Sequence, residues 1–377
     1  MLSPAELARY GRHLTLPGFG IEAQERLKGA RVLLIGAGGL GCPLGLYLAA
    51  AGVGVLAIVD GDLVEDSNLQ RQVLFTTADI GESKAERAAA RLRALNPHID
   101  IRPHNLWLSA ANALELVGSV DLVVDGSDNF TTRYLVNDAC VLAGVPLVYG
   151  SISQFEGQAS VFHHRGGPCY RCLFPEPPPP GTVPSCAEGG VLGVLPALIA
   201  SIQATEAIKI LTGIGETLSG RLLHYDAKGM DFQQLRMARN PRCPVCGDRP
   251  TITALAESPQ VCEASPPAAS GMSGREMSAA ELKAMLDRED VLVVDVREPW
   301  ERYICHISGS RSIPLAALGD AVDLLDRNQT LVCYCKGGGR SASACQQLRD
   351  AGFSDVRNLR GGILAWIDEV EPDLPRY

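Results

Sequence analysis

Two short loops, far apart in a chain of 377 residues, combine residue types that can do chemistry. Near the start, Gly36-Ala37-Gly38-Gly39-Leu40-Gly41 joins an apolar run to an Ala- and Leu-rich stretch. Glycines at this spacing between a strand and a helix let the backbone turn tightly and approach a phosphate, and the helix N-terminus favours its negative charge. Near the end, Cys335-Lys-Gly-Gly-Gly-Arg340-Ser leaves a strand pattern and enters a helix. Backbone N–H groups then converge on the cysteine sulfur, and with Arg340 they stabilise a thiolate or persulfide anion. The first loop can hold a nucleotide, and the second can hold a sulfur atom.

Other residues refine both readings. Asp60 ends the strand that follows the glycine loop, where a carboxylate can accept hydrogen bonds from a ribose. By themselves these features suit an NAD-dependent oxidoreductase as well as an ATP-using enzyme, and a glycine turn can also be purely structural. Cys169-x-x-Cys172 and Cys243-x-x-Cys246 can each place two thiolates on one metal, and together they complete a tetrahedral zinc site with no position open for catalysis. A lone Cys-x-x-Cys could be a redox pair, but Pro168, Pro241 and Pro244 put both pairs in loops, unlike the thioredoxin setting. Cys186 follows a proline-rich run and precedes a helical pattern whose N-terminus would lower a thiol pKa; the commoner fate of a free cysteine is a small buried hydrophobe.

The elements that must position these groups are legible in outline. Arg31–Ile35, Val55–Val59, Asp121–Val124 and Val145–Tyr149 read as buried parallel strands, and residues 42–51 suit a helix. Ser83 to Leu95 predicts a helix with Ser83 as N-cap and Glu86 completing a capping box. Such alternation predicts a doubly wound α/β sheet with right-handed crossovers. Residues 151–163 suggest antiparallel strands, Pro175 to Pro184 an exposed extended crossover, and 191–212 a helix. Residues 248–276 read as a linker; roughly 30 flexible residues would span an r.m.s. distance of ~30 Å. A second, smaller α/β pattern follows: a helix from Ser278 to Arg288, strands at Val291–Asp295 and Thr330–Tyr334, a helix at Arg340–Asp350 and a last helix near Trp366. Cys333 is expected in the core, pointing the opposite way from Cys335. Cys305, Cys345, Cys42, Cys140 and Cys262 read as packing residues.

What separates ATP from NAD is a set of motifs in order: Asp60-Gly-Asp62, Ser67-Asn68-Leu69-Gln70-Arg71-Gln72, Lys84 and Asp125-Gly-Ser-Asp128-Asn129. This set resembles the adenylating family of MoeB and ThiF, relatives of ubiquitin-activating enzymes, over about the first 250 residues. The resemblance implies that Gly39, Asp60, Ser67, Asn68, Leu69, Gln70, Arg71, Lys84, Asp128 and Asn129 hold ATP. Arg71 and Lys84 would neutralise the triphosphate, and Asp128 would hold Mg2+. Asp62, alone a turn cap, joins the set by its place in the motif, whereas Asp125 reads as structural. Arg12 looks like the family arginine that reaches the neighbouring subunit's triphosphate, which implies a homodimer. The same family supplies the four cysteines as a structural zinc site, and Cys186 as a cysteine that can link covalently to the substrate. Residues 276–377 resemble a rhodanese domain through Asp295-Val-Arg-Glu-Pro-Trp-Glu301, His306-Ile-Ser-Gly309 and the Cys335 loop. That loop has one residue fewer than in related phosphatases, which suits a single sulfur rather than a phosphate.

The expected architecture is an adenylation domain over 1–247, a linker over 248–276 and a rhodanese domain over 277–377. The expected activity is ATP-dependent adenylation of the C-terminal Gly-Gly carboxylate of a small ubiquitin-like sulfur carrier, then sulfur transfer from Cys335 to give a thiocarboxylate. The donor would be a cysteine desulfurase or thiosulfate. The carrier could serve molybdopterin, thiamine, tRNA thiolation, cysteine or a secondary metabolite. The alternatives are a ubiquitin-type activator forming a thioester on Cys186, and an NAD-dependent oxidoreductase fused to a sulfur-handling module. A net charge of −9 without a basic, aromatic-rich stripe argues against nucleic acid as a partner. The most apolar stretch, Val191 to Ile202, soon meets Gln203, Glu206 and Lys209 and is read as a buried helix rather than a membrane span. No signal core opens the chain, so a cytoplasmic enzyme is expected, and its twelve cysteines read as ligands, nucleophiles and core residues rather than a disulfide framework.

Overall fold

The computed structural model describes residues 1–178, 189–256, 276–286 and 291–377. The chain divides into two units, Met1–Gln260 and Val261–Tyr377, each with its own sheet. Most of the expected linker and the end of the helix expected to reach Arg288 lie outside the described residues.

The first unit is built on eight strands: β1 (Arg31–Ile35), β2 (Val55–Val59), β3 (Asp100–His104), β4 (Leu122–Asp125), β5 (Leu147–Ser153), β6 (Glu156–Phe162), β7 (Arg221–Asp226) and β8 (Asp231–Arg236). Their order across the sheet is β3-β2-β1-β4-β5-β6-β7-β8. β1 to β5 are parallel, and β6 to β8 continue the sheet antiparallel. The central strands are apolar at nearly every position because both faces are covered. Val32 and Leu34 enter one core with the helices Gly41–Ala51, Lys84–Leu95 and Leu195–Thr212, while Leu33 and Ile35 enter the other with Phe130–Ala143. β3 carries Pro103, which an edge strand tolerates. From β1 the chain first adds strands on one side, then restarts on the other with β4. In open α/β sheets ligands settle outside the carboxyl ends of the strands at such a reversal.

The helix Leu195–Thr212 is long and apolar enough to cross a membrane by length and composition alone, with mean hydropathy 1.2. It starts four residues later than the pattern suggested, with Pro196 in its first turn. Ile199, Ala200, Ala204 and Ala207 pack into the core. Its polar groups are also used: Gln203 Nε2 donates to the Asp125 carbonyl (2.7 Å), and Glu206 accepts from Leu218 N–H (2.7 Å). It is a core helix that closes one face of the sheet. Ser83 caps Lys84–Leu95 by accepting from Glu86 N–H at 3.5 Å, but the return bond of a full capping box is not formed.

The second unit has five parallel strands: β9 (Glu276–Met277), β10 (Val291–Asp295), β11 (Arg311–Ser312), β12 (Thr330–Tyr334) and β13 (Val356–Leu359), in the order β11-β10-β12-β13-β9. Helices Gly339–Asp350 and Gly362–Glu369 follow β12 and β13. Cys333 is buried, as expected, but on the same face as Leu331 and Cys335, whereas Val332 and Tyr334 enter the opposite core. The correction follows from the pleat: residues two apart on a strand share a face.

A tight constraint at the glycine turn is backbone against backbone. Gly36 has φ +83°, and a Cβ built on Gly41 would lie 2.0 Å from the Gly36 carbonyl oxygen. Gly41→Ala is therefore expected to destabilise the protein by about 3 kcal/mol, at the upper end for an overpacked site. Gly118→Ala, whose added methyl meets nothing within 4 Å, serves as the control in calorimetric unfolding.

Candidate active sites

The carboxyl ends of β1, β2 and β4 meet in an open cleft of about 860 Å3, including its mouth. Gly36, Gly38 and Gly39 line it after β1, Asp60 and Asp62 after β2, and Asp128 and Asn129 after β4; Arg71 and Lys84 reach it from the side. Nine of the expected nucleotide residues thus converge on one space. Gly41 does not line the cleft but packs beneath the turn. Ser67, Asn68, Leu69 and Gln70 do not line it either. They build the 3-10 turn that carries Arg71, whose Nη1 donates to the Ser67 carbonyl at 3.2 Å. Arg12 is exposed on the short helix Gly11–Leu14, outside this cleft. Cys186 lies outside the described residues.

Asp60 braces the glycine turn. Its Oδ2 accepts from Ala37 N–H (2.7 Å) and its Oδ1 from Asp62 N–H (2.8 Å). Burial pushes its carboxyl up, against the pull of these N–H groups and of Lys84. Lys84 is buried, and its Nζ pairs with Asp62 Oδ2 at 2.9 Å. Asn129 Oδ1 caps the helix Phe130–Ala143 through Thr132 N–H (2.8 Å). Asp125, buried behind the cleft, accepts from Ser127 N–H (2.9 Å), which makes it a turn brace.

Two buried polar residues join the expected set in the lining. Gln72 and Ser127 are buried beside the cleft, and Gln72 Oε1 and Ser127 Oγ have no hydrogen-bond partner among the described residues. Buried polar atoms normally find partners, so these oxygens ask for a polar ligand. The glycine cradle, two cations and orphaned acceptors fit a nucleotide triphosphate. Gln72 and Ser127 each sit directly beside a residue already assigned, which was the available signal.

The four motif cysteines come together, with all ligand atoms within 4.8 Å of one another. The sulfurs of Cys169 and Cys172 are 3.9 Å apart, Cys169 and Cys243 3.5 Å, and Cys172 and Cys246 3.3 Å. A tetrahedron with metal–sulfur bonds of about 2.3 Å has edges of about 3.8 Å, so the donor set fits one thiophilic metal ion. The Cys169–Cys172 contact pushes the Cys169 thiol well above the usual range and favours the Cys172 thiolate, which also accepts from Asn240 N–H at 3.3 Å.

In the second unit Cys335 follows β12 and is 2% exposed. Its Sγ accepts from Gly338 N–H (3.1 Å) and Ser341 O–H (3.4 Å). A Cβ on Gly362 would lie 2.4 Å from the Cys335 carbonyl, so that glycine lets the chain after β13 close beneath the loop. Arg340 is next to the loop, but its two terminal nitrogens grip both Glu301 oxygens at 2.6 Å. Tyr377 O–H donates to Glu301 (3.0 Å) and accepts from Arg297 (2.7 Å), which itself pairs with Asp295. Cys333 and Cys345 lie in the core beneath.

The ThiF family model matches residues 10–245, and the rhodanese-like domain model matches residues 278–369. The chain is 50% identical over 384 residues to the probable adenylyltransferase/sulfurtransferase MoeZ of Mycobacterium tuberculosis, covering 100% of this chain and 96% of that protein. It is 58% identical over 262 residues to the sulfur carrier protein adenylyltransferase of Thermus thermophilus, covering 68% of this chain and 97% of that one. It is 43% identical over 406 residues to the adenylyltransferase and sulfurtransferase MOCS3 of Mus musculus, covering 100% and 88%. Among solved structures, E. coli MccB with ATP matches with a TM-score of 0.56 at 25% identity, over 63% of this chain and 74% of that chain.

Burial raises the Glu301 carboxyl, but Arg340, Glu298 N–H and Tyr377 together hold it below the usual range. A carboxylate depressed on folding stabilises above its unfolded pKa, and that stabilisation is lost as pH falls through the folded value. Glu301→Gln is expected to cost about 2–3 kcal/mol at neutral pH, less than for a fully buried pair because Arg340 is partly exposed. The gap between wild type and variant closes on acidification; amide hydrogen exchange across 330–350 against pH reads it.

Proposed function

We propose, because the chain belongs to the ThiF family and closes with a rhodanese-like domain, that its two loops act in one sequence of reactions. The chain is an adenylyltransferase and a sulfurtransferase. Its partner is a small carrier protein, in keeping with the relative named a sulfur carrier protein adenylyltransferase. The observation that carries the reading is the convergence of Gly36, Gly38, Gly39, Asp60, Arg71, Lys84 and Asp128 on one cleft in a chain that also cradles Cys335 with amide dipoles.

A bare carboxylate is a poor electrophile with a poor leaving group. In the cleft the carrier's C-terminal Gly-Gly carboxylate would attack the α-phosphorus of ATP and release pyrophosphate. Asp60 would accept from the ribose, while Arg71 and Lys84 neutralise charge as it builds on the departing phosphates. For Lys84 this means exchanging Asp62 for phosphate. Asp128, a hard oxygen donor at the cleft, would hold Mg2+. Arg12, exposed and away from its own cleft, would serve the site of a second copy in a homodimer. Zn2+ would close the four-cysteine cluster and take no part in chemistry.

Cys335, loaded with sulfane sulfur by a cysteine desulfurase or thiosulfate, would attack the acyl carbon as its persulfide and expel AMP. A thiol, Cys186 or an external one, then cleaves the acyl disulfide. The carrier leaves as a thiocarboxylate, and Cys335 remains in a mixed disulfide that a second thiol reduces. The Gly338 amide and the Ser341 hydroxyl would hold the sulfur anion. Ten described cysteines are free, which suits a reducing cytoplasm.

Three measurements test this. Carrier-dependent pyrophosphate exchange should fall by about 10²–10³ in Lys84→Ala, as when one preorganised charge-stabilising group is lost. Cys335→Ala should retain exchange yet give no carrier heavier by about 16 Da, the change from acid to thioacid on acyl transfer to sulfur. An unchanged thiocarboxylate yield from Cys335→Ala would refute the sulfur route. Chelation is expected to lower the melting temperature of the first unit, with Zn2+ released in the same titration.

A further inference from the structure

The sulfur cradle of the second unit has a layer behind it. Gly338 supplies the N–H that donates to Cys335 Sγ, and it does so from the left-handed region, with φ +101°. Glycine reaches that region freely and leaves it as freely, so the orientation of this peptide must come from its partners.

The Gly338 carbonyl faces three donors. Ala342 N–H is at 3.0 Å, Ser341 Oγ at 3.1 Å and Asn358 Nδ2 at 3.2 Å. A carbonyl oxygen offers two lone pairs, so three full hydrogen bonds exceed its capacity. The hydroxyl is the donor with an alternative. Ser341 Oγ also lies 3.4 Å from Cys335 Sγ, and it carries one hydrogen. That hydrogen serves either the carbonyl or the sulfur. With Ala342 and Asn358 filling both lone pairs, it is left to the sulfur.

Asn358 is put in this place by the sheet. It pairs in register with Cys333 on β12 and with Glu276 on β9, and it is 4% exposed. Its two amide hydrogens go to the Gly338 carbonyl and to Glu276 Oε1 (3.1 Å). Both partners are acceptors, which fixes the nitrogen toward them. Asn358 Oδ1 is then buried with no hydrogen-bond partner among the described residues. Buried polar atoms normally find partners, and an aliphatic side chain on this strand would avoid the cost. What the asparagine offers in return is its donor.

We infer that Asn358 is a positioning residue for the sulfur loop: it occupies the Gly338 carbonyl and so releases the Ser341 hydroxyl to the sulfur of Cys335. The inference rests on the reading of Cys335 as the sulfur carrier and adds to it what aims the cradle. Asn358 does not touch the sulfur; it acts through Gly338 and Ser341.

The test follows alkylation of Cys335 in the full chain by iodoacetamide, in which the thiolate displaces iodide. Peptide mass spectrometry separates this cysteine from the others. On the acidic side of the pH profile Ser341→Ala should slow the reaction about tenfold, the low end for one hydrogen bond to a charged group. Asn358→Leu should slow it by about the same factor. Both losses should vanish at alkaline pH, where the sulfur is ionised in every variant. The double variant should also be about tenfold slower, not the ~100-fold of two independent effects. Asn358→Val, a strand former that likewise lacks the amide, takes the place of Asn358→Leu if that variant does not melt cooperatively. The inference is overturned if the Asn358 substitution changes the rate by less than about twofold, if its loss is equal at every pH, or if the double variant is ~100-fold slower. Sulfur uptake is measured beside it: a wild type that takes sulfane sulfur from neither thiosulfate nor a cysteine desulfurase refutes the carrier reading, whereas the alkylation rates judge the Asn358 contact by themselves.

Discussion

A backbone contact too close for any side chain organises the first unit. The Gly36 carbonyl lies where a Cβ of Gly41 would be, and a Cβ on Gly126 would come within 2.9 Å of the Ile35 carbonyl. Strand β1, the helix after it and the turn after β4 therefore meet at van der Waals limits. This is also the point where the strand order reverses. Once these three segments are fixed, the ends of β1, β2 and β4 can face only one space. The charged residues do not create the cleft; they occupy a cleft that the backbone has already shaped.

Within that frame, charge is held in pairs that a substrate can exchange. Lys84 leans on Asp62, and Asp60 holds the N–H groups of Ala37 and Asp62. Both carboxylates keep further lone pairs available to the cleft. Gln72 and Ser127 contribute acceptors that the protein leaves unmatched. Such atoms are costly in a closed interior. Their cost is tolerable at a cleft that fills and empties, and this is why they lie beside the ligand residues rather than deep in the core.

The sequence was most legible where local chemistry decides the outcome. Apolar runs at β1 and β2, glycines at the turn, Ser83 as a cap and paired cysteines all act through neighbours within a few residues, and each stands where its pattern put it. What depends on distant partners was not legible. β7 and β8, the latter exposed at every position, are strands because they extend a sheet, which no periodicity announces. The grip of Glu301 on Arg340 joins residues far apart in the chain, so the arginine looked free to face the sulfur. The orientation of Cys333 differs in kind: the pleat alone places it on the face of Leu331 and Cys335, against the expectation that it points the other way from Cys335.

The Glu301–Arg340 pair gives the second unit an unusual electrical character. The Arg340 guanidinium of the Cys335 loop already has its countercharge in Glu301, and the groups that hydrogen-bond the sulfur are a peptide N–H and a hydroxyl. Monopoles at a surface are screened within about a nanometre by physiological salt, whereas dipoles in van der Waals contact with a buried sulfur are not. These two contacts on the sulfur are consequently little screened by the ionic strength of its surroundings. A flooding of the compartment with small ions would slow the meeting of partners without loosening these two contacts.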